Sequence, residues 1–206
     1  MALVAIGERS IVPGRAAAYL AALRTISQTL AFVDGRGEVY AVIDDRDPDR
    51  VLTFGRWTSR AEHDAAMARR PAAALAEADS HVASRVGPLR WYRVVREIER
   101  VAVRASYVVV RRSKVPSESW PAFEAWVVAL MRELVELPGV VSQALLVDLD
   151  DPSRVLSLVQ YTSAEVAESV KRQIANRPRP PALRGITSER FAGRTDLLWE
   201  PARVES

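Results

Sequence analysis

The chain has no cysteine and only two histidines in 206 residues. Disulfides, thiolate nucleophiles and cysteine metal sites are therefore excluded, and a histidine-built metal site has little to draw on. No metal is expected. No apolar run approaches the roughly 20 residues that a membrane-spanning helix needs. The opening MALVAIGERS lacks the charged and apolar regions of an export signal. A cytoplasmic protein without membrane association is the expectation. The formal net charge is only +3. Arg is interspersed with Asp and Glu, and no dense basic stripe with interleaved aromatics appears, so nucleic acid is not an expected partner. A Gly-rich phosphate loop, GxSxG and HExxH are all missing, which removes the commonest phosphate-binding, serine-hydrolase and zinc-protease signatures.

What the chain does have is a core and a repeat. Hydrophobic residues make up 49% and charged residues 27%, enough apolar surface for a packed interior. The stretch DDRDPDRVLTFGRWTS (Asp44 to Ser59) returns as VDLDDPSRVLSLVQYTS (Val147 to Ser163). With Val51 set over Val155, Asp44 meets Asp148, Pro48 meets Pro152, Trp57 meets Tyr161 and Ser59 meets Ser163. IVPGRAAAYLAAL resembles KVPSESWPAFEAWVVAL in the same order, and LRWYRVVRE resembles LLWEPARVE, with Trp91 over Trp199. A repeat of this length reads as two copies of one domain, residues 1–99 and 100–206, not as a solenoid unit.

Each copy carries the same succession of periods. LVAIGERSIV and VRASYVVVRR are short and β-branched, and read as strands. Helices follow Pro13-Gly14 and Pro116-Ser117, with apolar residues at helical spacing. Two strands then flank an Asp- and Pro-rich turn, DRDPD or LDDPS. Ser59 and Ser163 are N-cap candidates, and Glu62 completes a capping box for the first. A last strand is expected over Leu89 to Ile98 and over Leu197 to Val204. Each copy is thus βαββαβ, a ferredoxin-like unit whose helices cover one sheet face. The bare face needs a partner, which a second tethered copy supplies. The expectation is an α+β fold: two tandem ferredoxin-like units forming an intramolecular pseudo-dimeric α+β barrel, as a monomer or as a homodimer.

The helix start VPG, the acidic DP-R turn, the strand ending in Trp-Thr-Ser and the helix after it resemble the antibiotic biosynthesis monooxygenase family, of the dimeric α+β-barrel superfamily. RVLTFGRWTSRAEHDAAMARRP (Arg50 to Pro71) is the strongest stretch. The resemblance implies a pocket between sheet and helices in each copy. It implies a small aromatic substrate and dioxygen as co-substrate, with no tightly bound metal, haem or flavin. Diffusible reduced flavin is the one cofactor that larger relatives bring. By position, Trp57 is the family's strand-end Trp. Thr53 stands where family oxygenases often carry Asn, and His63 where they often carry Tyr. Met67 stands where haem degraders of the superfamily carry His, which disfavours haem chemistry.

The first copy is the expected catalytic half, because the second has Ser157, Tyr161 and Ala167 at the positions of Thr53, Trp57 and His63. In this reading Trp57 stacks a planar ring. His63 accepts a proton near neutral pH, with His81 as its acid–base partner. Thr53, Tyr40, Trp91, Tyr107 and Tyr161 are the substrate-binding candidates. Arg179 and Arg184, in a Pro- and Arg-rich segment, are rim candidates. The expected function is an oxygenase tailoring an aromatic polyketide or polyphenol. A cyclase or isomerase on the same scaffold, and a ligand-binding protein without chemistry, are the alternatives.

Overall fold

A computed structural model of the chain describes residues 2–30, 35–100, 104–178 and 180–199. The fold is α+β, with nine strands and five α-helices among these residues. It divides into two compact units, Met1–Tyr92 with Thr195–Ser206, and Arg93–Arg194. The units do not break where the repeat does. Strand β5 (Arg90–Glu99) begins in the first unit and ends in the second, and β9 (Ser188–Trp199) does the reverse. Several sequence expectations lie outside the described residues: the linker at Val101, the chain from Glu200 to Val204, the side chain of Trp199, and Arg179.

In the first unit β1 (Leu3–Ile11), α1 (Ala16–Thr29), β2 (Arg36–Asp44), β3 (Arg50–Trp57) and α2 (Arg60–Ala68) follow the βαββα order. Strand β3 lies between β2 and β1, both antiparallel to it, in a register running from Leu3↔Trp57 to Ser10↔Arg50 on the β1 side. Helix α3 (Ala72–Ser80) and a short strand β4 (Val82–Arg85), which pairs with β1, are added after α2. Sequence periodicity does not reveal β4, because only six residues separate the helix end from a Gly-Pro turn.

The second unit holds β6 (Tyr107–Lys114), α4 (Trp120–Leu134), β7 (Val140–Asp148), β8 (Arg154–Tyr161) and α5 (Ala164–Ile174). Its strand order is β9-β6-β8-β7. Strand β9 starts at Ser188, well before the expected Leu197. Its inward positions alternate Ser188, Arg190, Ala192, which masks the apolar period. The repeat's match of Trp91 to Trp199 does not survive either. Strand β5 leaves its first unit after Tyr92 and β9 leaves its own after Arg194, so Trp91 is equivalent to a residue near Gly193. No helix among the described residues is long and apolar enough to cross a membrane.

The turns and caps follow the side-chain chemistry. Asp148 is buried, and its Oδ1 accepts the backbone N–H groups of Asp150 (2.8 Å) and Asp151 (3.2 Å). Asp44 accepts that of Arg46 at 3.1 Å. These carboxylates are turn formers. Ser59 Oγ accepts the Glu62 N–H at 3.1 Å and donates to the Glu62 carboxylate at 3.0 Å. Ser163 Oγ accepts the Val166 N–H. Gly139, at φ 82°, ends the connection after α4, where a Cβ would stand 2.8 Å from Thr162 Oγ1.

Candidate active site

In the first unit three predicted residues do come together. The His63 ring packs edge-on against Trp57, with centroids 5.1 Å apart, and against Trp91, at 4.9 Å. Helix α2 brings His63, the end of β3 brings Trp57, and the start of β5 brings Trp91. The Trp57 indole folds back over its own strand because residue 55 is glycine, where a Cβ would lie 2.9 Å from Trp57 Nε1. All three side chains are buried, and the exposed Asp64 places its Oδ1 2.9 Å from the imidazole Nδ1. The Arg60 guanidinium lies 5.6 Å from the Trp91 ring centroid. This is a close-packed aromatic wedge between sheet and helix.

The remaining first-unit candidates scatter. Thr53 shares the face of β3 with Trp57, and its hydroxyl donates to the Gly7 carbonyl at 3.3 Å. Tyr40 is not with them. It pairs with Phe54 across the strands and stacks on it at 4.9 Å, so it points from the opposite face. The strand irregularity lies between Arg36 and Val39, before Tyr40, and so does not turn it round. His81 closes α3, where its carbonyl accepts the Val12 N–H at 2.8 Å. No contact joins it to His63 in the described geometry.

A cavity of about 280 Å³ lies in the second unit, between its sheet and helices α4 and α5. Phe123, Trp126, Val127 and Leu130 of α4 form an apolar roof. The floor is the helix-covered face of the sheet. Arg111 of β6 stands directly between Ser157 of β8 and Arg190 of β9 in register, and all three line the cavity. Tyr161, Gln143 and Ala167 line it too. Tyr107 is opposite Tyr161 and packs in the adjoining cluster with Leu134, Val140 and Ala167. Thus Tyr161 is the predicted substrate-binding residue that lines this cavity, and Tyr107 supports it.

The electrostatics are one-sided. Arg111, Lys171, Arg177 and Arg190 face the cavity, and among the described residues no carboxylate lines it. Glu168 holds Lys171 at 2.8 Å and Arg190 at 3.4 Å from outside, and Glu133 pairs with Arg177. Burial pushes the Tyr161 phenol up to about 12, against the opposing pull of the Arg111 and Arg190 charges. Tyr161 therefore keeps its proton at neutral pH and is a donor. Gln143 is 1% exposed, and its Nε2 donates to the Met131 carbonyl at 2.8 Å. Among the described residues its Oε1 is buried without a donor, and the Arg190 Nε without an acceptor.

Why the cavity lies here follows from the duplication. Ser157, Tyr161 and Ala167 are the equivalents of Thr53, Trp57 and His63, and all three line it. The methyl of Ala167 leaves open the volume that the His63 imidazole takes in the first unit. The Pro- and Arg-rich segment forms one wall: Leu183, 2% exposed, anchors it, and Leu183 and Ile186 line the cavity. The rim cations are Arg177 and Arg190, not Arg184. Sequence reasoning missed Arg111, Gln143 and Arg190. The available signal was polarity at inward positions of otherwise apolar strands, as in VSQALLV and YVVVRRS. Among the described residues no group of three or more His, Asp and Glu side chains is placed to hold a metal ion.

Comparison with known proteins agrees with this architecture. A structure from Lactobacillus acidophilus NCFM, described as that of a candidate monooxygenase, is similar with a TM-score of 0.72 at 10% identity, over 97% of this chain and 95% of its own. An anthrone oxidase-like protein is similar with a TM-score of 0.63 at 16% identity, over 98% and 97%. A haem-degrading enzyme from Listeria monocytogenes gives 0.55 at 14% identity, over 93% and 98%. At these identities the likeness is one of fold. No curated protein matches the chain. The sequence profile of the antibiotic biosynthesis monooxygenase family matches residues 2–78 and again 106–171, most of the chain in two copies, and the chain belongs to that family.

Proposed function

We propose that the protein oxidises a phenolic aromatic compound with dioxygen, in the cavity of the second unit. The observation that carries this reading is the cross-strand pair Arg111 and Arg190 beneath an apolar, aromatic roof. Like charges directly opposite on neighbouring strands repel each other. Two guanidinium groups side by side, with Glu168 on one of them, still raise the local positive potential, and in a water-poor site that favours the ionised form of a bound phenol or enol. That anion is the species electron-rich enough to reduce dioxygen.

For an anthrone-type methylene the steps balance as follows. The ring system lies under Phe123 and Trp126, with its enolic oxygen toward the two guanidinium groups. The methylene loses a proton to solvent at the cavity mouth, since Tyr161 keeps its own, and the carbanion passes electrons to dioxygen; that proton returns to the peroxide. A carbon–oxygen bond forms and gives a hydroperoxide. The second hydrogen leaves that carbon as the O–O bond breaks. One oxygen stays as the new quinone carbonyl and the other departs as water, carrying both hydrogens. Tyr161, still protonated at neutral pH, is the donor to the departing oxygen and is reprotonated by the substrate's proton.

Oxygen uptake with anthrone or 2-naphthol, measured with and without added reduced flavin, tests the reading. Uptake with stoichiometric quinone is expected in air, and none of that product under argon. Product made under strict anaerobiosis would point to a cyclase or isomerase instead. The His63→Ala variant decides which unit acts. It is expected to lose about 1–3 kcal/mol of stability through its lost ring contacts, read by thermal unfolding, while turnover stays near wild type. A folded variant without turnover would return the proton-acceptor role to His63.

A further inference from the structure

The buried amide on the cavity floor says more about the substrate. Gln143 has its Nε2 committed to the Met131 carbonyl, which also accepts the Val135 N–H at 3.1 Å. That bond orients the amide, because a carbonyl partner requires the NH₂ side. Oε1 is then an acceptor held in place, buried and without a donor among the described residues. Buried polar groups are seldom left so, and each calls for an explanation. Packing does not supply one. Gln143 pairs with Val159, and the equivalent position of the first unit, opposite Gly55, is Val39. The same fold is built there with an apolar side chain.

We propose that Gln143 reads a second, free hydroxyl on the substrate, which makes the substrate class a polyhydroxylated aromatic that is unmethylated at that position. This rests on the reading of the cavity as an aromatic site. Strand β8 lies between β6 and β7, so Arg111 and Gln143 stand two strand spacings apart across the sheet, roughly 10 Å, with Gln143 two residues nearer Tyr161 along it. The anionic oxygen and the second hydroxyl therefore sit on different edges of the ring system. A site built around a buried acceptor rejects an analogue that cannot donate to it, because the acceptor is then left unpaired. A methyl ether both removes the donor and adds bulk against the amide.

The test is binding under argon, so that it does not depend on turnover. 2,7-Dihydroxynaphthalene and 7-methoxy-2-naphthol are titrated into the full-length protein and followed by tryptophan fluorescence and calorimetry. The wild type is expected to prefer the diol by about tenfold or more. In Gln143→Leu the two probes are expected to bind within about threefold of each other, with the ether gaining and the diol losing. Equal binding of both probes by the wild type would overturn the proposal, as it would if an ordered water already satisfied Oε1. So would a diol preference kept intact in Gln143→Leu. Should that variant fail to fold, Gln143→Met and the wild-type ratio decide in the same way. Failure of both probes to bind the wild type would bring down the aromatic-site reading along with this one, whereas binding without preference removes only the role of Gln143.

Discussion

Replacing Ala167 by tryptophan is expected to weaken binding of 2,7-dihydroxynaphthalene under argon by at least about 100-fold, or about 2.7 kcal/mol. Oxygen uptake should disappear with it. Ala167 sits on α5 with its side chain toward the cavity, 3% exposed, next to Tyr161 and Leu134 in one cluster. An indole placed there takes much of a cavity of about 280 Å³ and lies where a substrate ring would. Insertion into a filled core costs about 1–3 kcal/mol, but here the new ring enters open volume. The first unit already shows an aromatic ring at the matching place, the imidazole of His63 between two indoles. The variant should therefore unfold within a few degrees of wild type, and Ala167→Ser should bind normally. Undiminished binding by a folded Ala167→Trp protein would mean that ligands enter elsewhere.

The features legible in the sequence were those set by local chemistry. Asp44, Asp148 and Asp151 beside prolines announced turns, Ser59 and Ser163 announced helix starts, and each did so through bonds to nearby backbone. The repeat then carried the strand order, because two copies of one pattern admit few topologies. The site was harder to read because its parts are joined only by tertiary contact. Trp91 reaches His63 from a strand far along the chain, and that contact turned a promising titratable residue into a packed one. Arg111 and Arg190 are separated by most of the second unit, and only the β6–β9 register sets them side by side. Gln143 looked like a blemish in an apolar strand. For the second-unit cavity the signal lies in polar side chains that break the inward alternation, and in the small residue at position 167.

Removing the charge pair should separate chemistry from binding. In the Arg111→Met/Arg190→Met double variant, turnover is expected to fall by about 100- to 1000-fold, the scale of losing preorganised donors to a developing oxyanion. Affinity for the neutral phenol should change little, since an un-ionised ring gains little from a positive field. The sign of the pH effect follows from the same charges. Nearby cations favour the ionised phenol and lower its pKa in the bound state. With the pair gone, a bound phenol must ionise nearer its ordinary value of about 10. The acidic limb of the rate profile should then move upward by about 1–2 pH units, so that part of the lost rate returns in alkali. Tyr161 does not confuse the measurement below about 10, because burial holds its proton there and the arginines only oppose that effect. Arg190→Lys, which keeps a charge but loses the planar fork, should stay within about tenfold of wild type if charge is what matters. A double variant whose limb does not move, with turnover unchanged, would show that the anion is stabilised by other groups and that the cross-strand arginines only line the wall.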